Sequence, residues 1–182
     1  MKKLIFAGMV LLFSACTSMQ VSEVDPQTGY FKAGKQAQTI VKKRVDLDSM
    51  KSLLLIPDED FIRGQIENIK YFDEIMTYDD LEKEIIKNDL QDKITDVRNK
   101  IGINKASKEY KWFLWFRFDT RGSGNKKYAQ FILTNPETLD DIFVSEIHLD
   151  YVVTGVNDQY TWYPLFNELI KYIEENSNTY RK

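Results

Sequence analysis

The chain of 182 residues holds one cysteine and one histidine, Cys16 and His148, and that bounds its chemistry at once. A hydrolytic triad needs a nucleophile, a base and an acid that orients the base. No Gly-x-Ser-x-Gly elbow is present, and Arg121-Gly122-Ser123-Gly124 reads as a turn without the lysine–serine pair and helix start of a phosphate loop. A zinc site takes three or four His or Cys ligands, so carboxylates would have to supply most of any metal site. Glu146, His148 and Asp150 are the best acid–base or metal grouping, because they alternate and share one face of a predicted strand. The same alternation describes a solvated polar face. The acidic clusters Asp58-Glu59-Asp60, Asp79-Asp80 and Asp140-Asp141 lack the glycine-punctuated loop of an EF-hand. Glycoside hydrolysis needs two carboxyl groups across a cleft, and nothing in the spacing joins such a pair. No catalytic residue is assigned, and neither a metal nor another cofactor is expected.

Aromatic residues offer a different chemistry. Tyr160, Trp162 and Tyr163 follow Asn157-Asp158 at a loop-to-helix junction, a place suited to a partner or sugar surface. Large aromatics are mostly buried, so the competing reading has Trp162 closing the core.

Cys16 follows a tripartite start. Lys2 and Lys3 are positive, Leu4 to Phe13 is an uncharged apolar run, and Ser14-Ala15 are small. That pattern predicts a secretory signal over residues 1–15. The run falls short of the roughly 20 apolar residues needed to span a bilayer. With no second cysteine, no internal disulfide forms. Phe13-Ser14-Ala15-Cys16 resembles the lipobox of bacterial lipoproteins, with Phe where that family usually has Leu. The resemblance implies cleavage before Cys16, lipid on its thiol and on the new amino terminus, and attachment to a membrane through that lipid. Several acyl chains anchor stably where one holds only marginally. Thr17, rather than Asp, follows the cysteine; by the same likeness this favours the outer membrane, facing the periplasm. Without Lys2 and Lys3 the mature chain is more acidic than the formal −3 of the whole sequence. Such a balance argues against nucleic-acid binding, which needs a basic face, and against electrostatic docking on anionic lipid heads.

Elements that would position these residues follow from patterning. Residues 16–35 are polar, with turn signals at Asp25-Pro26 and Thr28-Gly29, and read as a lipidated tether. The alternative is an arm packed on the domain through Tyr30 and Phe31. Residues 36–182 read as a single α/β (α+β) domain. Ile40, Val41 and Val45 fit a short helix or a strand. Ser52 to Ile56, closed by Pro57, is a buried strand. Phe61, Ile62, Ile66 and Ile69 recur at helical spacing. Thr77 caps a helix with Asp79 and Asp80 in its first turn. Residues 92–109 read as a strand or turn and short helices broken near Gly102. Trp112 to Phe116 is a strand apolar on both faces, Tyr128 to Thr134 another, and Glu146 to Val153 a third with one exposed face. Thr161 opens a last helix, with Pro164 in its first turn. Helices are expected mainly on one face of a mixed sheet of four to five strands.

The order strand, helices, three antiparallel strands, helix over residues 50 to 176 resembles the TolB-N-terminal type of α/β domain, including LpoB-type activators of peptidoglycan synthases. The stretch from Tyr71-Phe72-Asp73-Glu74 through Trp115, and Trp162-Tyr163-Pro164-Leu165-Phe166-Asn167, is similar to proteobacterial lipoproteins of unknown function. Together these imply a non-enzymatic envelope lipoprotein with a protein partner in assembly, secretion or wall synthesis. A carboxylate-based wall hydrolase and a small-ligand binding module are the alternatives.

Overall fold

Leu53, Leu54 and Leu55 have no exposed surface and form the centre of strand β2 (Ser52–Ile56) in the computed structural model, which describes residues 19–181. The expected signal segment 1–15, Cys16 and Thr17 lie outside the described residues. Burial of consecutive positions requires cover on both sides of the sheet, since side chains alternate along a strand. The remaining elements supply it: β1 (Gln38–Lys42), α1 (Asp60–Ile69), β3 (Glu74–Met76), α2 (Tyr78–Lys87), α3 (Lys100–Glu109), β4 (Leu114–Arg121), β5 (Tyr128–Asn135), β6 (Asp140–His148) and α4 (Tyr163–Asn176).

The strands make one mixed sheet in the order β1-β6-β5-β4-β2-β3. β2 runs parallel to β3 and β4, whereas β4, β5, β6 and β1 pair antiparallel. Six strands replace the four to five expected. The additions are short edge strands: β1, which resolves residues 36–50 in favour of a strand, and the three-residue β3.

Helices lie on both faces, not mainly on one. Leu53 and Leu55 pack with Phe116, Phe131 and Phe143 of the sheet, Ile62 and Ile66 of α1, and Phe166 and Leu169 of α4. Leu54 faces the other way, toward Met76, Leu81 and Ile85 of β3 and α2, Ile103 of α3, and Phe113 and Trp115. The apolar residues on both faces of the 112–116 run already required this second layer.

Local signals account for the helix ends. The Thr77 hydroxyl accepts from Asp80 N–H while the Asp80 carboxylate accepts from Thr77 N–H, closing a capping box on α2. Gly102 does not break the chain as expected. It sits in the first turn of α3, where its N–H donates to the Asn99 side chain at 2.9 Å. A Cβ there would stand 1.4 Å from the Asp96 carbonyl oxygen, so the helix needs glycine for close approach.

The expected tether is, over its described part, an arm laid along α1 and α4. Phe31 is 3% exposed and stacks on Tyr163 at 5.3 Å between ring centroids. Gln65 and Asn68 of α1 donate to the carbonyls of Gln20 and Ser22. The Tyr30 hydroxyl donates to Glu174 at 2.5 Å, which with burial pushes its pKa up to about 12. Arg181 reaches back to the Gly29 carbonyl. Among the described residues no helix is long and apolar enough to cross a membrane.

Candidate functional site

The antiparallel strands turn one face toward α4 and carry a polar and aromatic field on the other. α4 is the helix packed on β5 and β6, while α2 contacts β2 and β3 on the opposite face. On that opposite face the register aligns Arg121 with Tyr128 and His148, Gln130 with Glu146, Arg117 with Ile132 and Val144, and Trp115 with Thr134.

Two arginine–carboxylate pairs brace it. Arg121 donates through Nε and Nη2 to the two oxygens of Glu146, both at 2.5 Å, and Gln130 Nε2 donates to Glu146 at 2.9 Å. Glu146 is 4% exposed, and the Arg121 bonds hold its carboxyl below the usual range against the opposing effect of burial. Arg117 Nη2 donates to Asp141 at 2.7 Å and to the Thr134 hydroxyl at 3.2 Å; Thr134 in turn donates to Asp141. The guanidinium of Arg117 lies 4.8 Å from the Trp115 ring centroid and that of Arg121 4.5 Å from Tyr128. At the Arg117 end of this face, Trp115 Nε1 and Arg117 Nε are buried donors without an acceptor. An unmade hydrogen bond of this kind costs about 1–3 kcal/mol.

Glu146 and His148 do share this face, but Asp150 does not join them. β6 ends at His148, and the Asp150 carboxylate accepts from Val152 N–H and Val153 N–H at 3.0 and 2.9 Å in a turn. The strand expected over 146–153 is therefore displaced to 140–148. His148 Nε2 donates to the Asn125 carbonyl at 2.6 Å, and its ring meets Tyr128 edge-on. Glu146 is engaged by Arg121 and Gln130, and His148 by a carbonyl, so the trio is dispersed as a catalytic or metal set. No group of three His, Cys, Asp or Glu side chains among the described residues is placed to hold a metal ion.

The aromatic junction turns inward. Trp162 and Tyr163 are 9% and 7% exposed; Trp162 packs against Phe61, Phe118 and Phe131. Tyr160 is half-buried over Gly34 of the arm, whose N–H donates to Gln159. Only Tyr160 keeps surface for a partner.

No family model, curated protein or solved structure matches this chain. Its site is defined by its own geometry. Arg117 and Gln130 had no part in the sequence reading, and Trp115, Arg121 and Asp141 entered it only as strand, turn and acidic cluster; the even spacing of Trp115, Arg117 and Arg121 in β4, which puts them on one face, was the usable signal.

A concavity of about 540 Å³ lies where the arm meets the C-terminal segment. Lys51, Lys70 and Arg181 line it together with Glu23, Asp73 and Tyr71, a charged and open cleft rather than an enclosed apolar pocket.

Proposed function

We propose that this chain is a lipid-anchored envelope protein, favoured at the outer membrane facing the periplasm, whose α/β domain binds a protein partner without catalysing a reaction. The partner surface is the β4–β6 face around Arg117 and Arg121. The observation that carries this is the pair of arginines aligned on one sheet face, Arg117 held by Asp141 and Arg121 held by Glu146, with the exposed Asp119 between them. Arginine is among the residue types that dominate binding energy at interfaces.

A photo-crosslinking residue at Asp119, exposed on β4, is expected to trap one defined partner in cells, and the same probe at Glu109 on α3 is not. Arg117→Ala with Arg121→Ala should abolish that adduct. Equal adducts from both positions, or turnover of peptidoglycan by the purified protein, would sink the reading. Labelled palmitate should mark the wild type and leave Cys16→Ser unmarked.

A further inference from the structure

The loop between β6 and α4 displays apolar side chains to solvent. Val152 and Val153 are 90% and 82% exposed, Tyr151 57% and Val156 41%. Nothing of this was visible while Tyr151 and Val153 read as strand. The loop is held in place rather than loose: Asp150 accepts from the N–H groups of Val152 and Val153, and Asn157 Nδ2 donates to the Thr154 carbonyl at 2.7 Å. Tyr151-Val152-Val153-Thr154-Gly155-Val156-Asn157 carries no charge. Lys126 and Lys127 stand beside it on the β4–β5 turn, with Leu149 N–H donating to the Lys127 carbonyl, and the Lys35 amine donates to the His148 carbonyl.

The arm begins at this same place. Gln20 N–H donates to the Asp158 carboxylate at 3.3 Å, one residue beyond the loop, and the Tyr163 hydroxyl donates to Ser22. Cys16 precedes Gln20 by four residues, which span at most about 14 Å when fully extended. A lipid on Cys16 therefore brings the bilayer surface to within that reach of Asp158, which closes the apolar loop.

We infer that the Tyr151–Val156 loop inserts into the lipid interface beside the anchor and fixes how the domain is oriented on the membrane. This rests on the lipidation of Cys16 proposed above. Valine side chains suit the acyl boundary, tyrosine the headgroup level and lysines the phosphates. The loop itself is neutral, and the Asp150 and Asp158 carboxylates at its two ends are both engaged by backbone N–H groups.

The test uses full-length protein purified from membranes and mixed with phosphatidylethanolamine–phosphatidylglycerol vesicles containing radiolabelled phospholipid. A photo-crosslinking residue at Val153 should label lipid. One at Glu137, in the turn at the far end of β6, should not. Val152→Asp combined with the probe at Tyr151 should cut labelling roughly tenfold, given the cost of placing a carboxylate in lipid; both positions are exposed, so folding is not at stake. Mass spectrometry of the same sample reads the Cys16 lipid separately. Lipid labelling at Val153 well above Glu137 in protein that carries no lipid keeps the loop and removes the anchor. Labelling no greater at Val153 than at Glu137 overturns the loop, whatever the mass.

Discussion

Asn167 pairs with both backbone groups of Phe31: its side-chain oxygen accepts from the Phe31 N–H at 2.8 Å, and its Nδ2 donates to the Phe31 carbonyl at 2.9 Å. One amide on α4 thereby does for the arm what a neighbouring strand would do. The Phe31 ring fills the space between Tyr163 and Phe166, with centroids at 5.3 and 5.7 Å. Burying such a ring is worth about 2–3 kcal/mol, enough to offset the ordering of only a few arm residues. This clasp and ring hold the middle of the arm, while Gln65, Asn68 and Tyr163 hold its beginning.

Asn167→Leu leaves both Phe31 backbone groups unpaired, and should cost about 2 kcal/mol. Thermal unfolding would show the loss, and limited proteolysis would cut between residues 20 and 30 much faster than in the wild type. Unchanged cleavage would mean that the arm is held elsewhere.

Trp162→Ala removes a ring packed against three phenylalanines, and is expected to cost about 3–5 kcal/mol. Tyr160→Ala, at a half-buried position, should stay below about 1.5 kcal/mol. Urea unfolding of the two variants separates a core tryptophan from a surface one; similar small losses would return Trp162 to the surface.

Glu146 gives the domain an acid limb. Its carboxyl is lowered in the folded chain by Arg121, so near its ordinary pKa the unfolded chain binds more protons and stability rises with pH. The contribution is complete above the unfolded value and disappears as pH falls through the folded one. Arg121→Ala leaves a buried carboxylate without its cation, so its folded pKa rises toward or past the unfolded one and this limb should shrink or reverse. Stability at neutral pH should fall as well, because the carboxylate stays buried without its partner. Glu146→Gln should flatten the limb. Urea midpoints from about pH 3 to about pH 7 provide the check; an unchanged limb in Arg121→Ala would refute the pairing.

Gly102→Ala runs against helix propensity, which favours alanine by about 1 kcal/mol. The methyl would meet the Asp96 carbonyl, so the variant should instead be destabilised by about 2 kcal/mol or more. A raised melting temperature would contradict the close approach.

Much of the layout was legible because it rests on short-range signals. The Leu53–Leu55 run, the Thr77 cap, the Pro164 helix start and the Asn176 stop all act within a few residues, and each stands where patterning put it. What was missed depends on pairs far apart in the chain. The arm is polar and aperiodic, and its clasp joins residues 31 and 167. The end of β6 was hidden because Tyr151 and Val153 continue the alternation, while Asp150 offers the backbone a competing turn. The Arg117 and Arg121 face was readable from even spacing in β4, but the carboxylates that complete it stand on β6. The sequence left Trp162 open between a partner surface and a core residue, and Phe61, Phe118 and Phe131, from three other elements, decide for the core.

The arm's principal partners on α4 and the Arg181 that grips Gly29 come from the last stretch of the chain to be synthesised. A ribosome making this protein finishes the arm long before its seat exists. The arm thus has nowhere to dock until α4 has been made. Completion of the chain, rather than its beginning, decides when residues 20–31 become ordered on the domain.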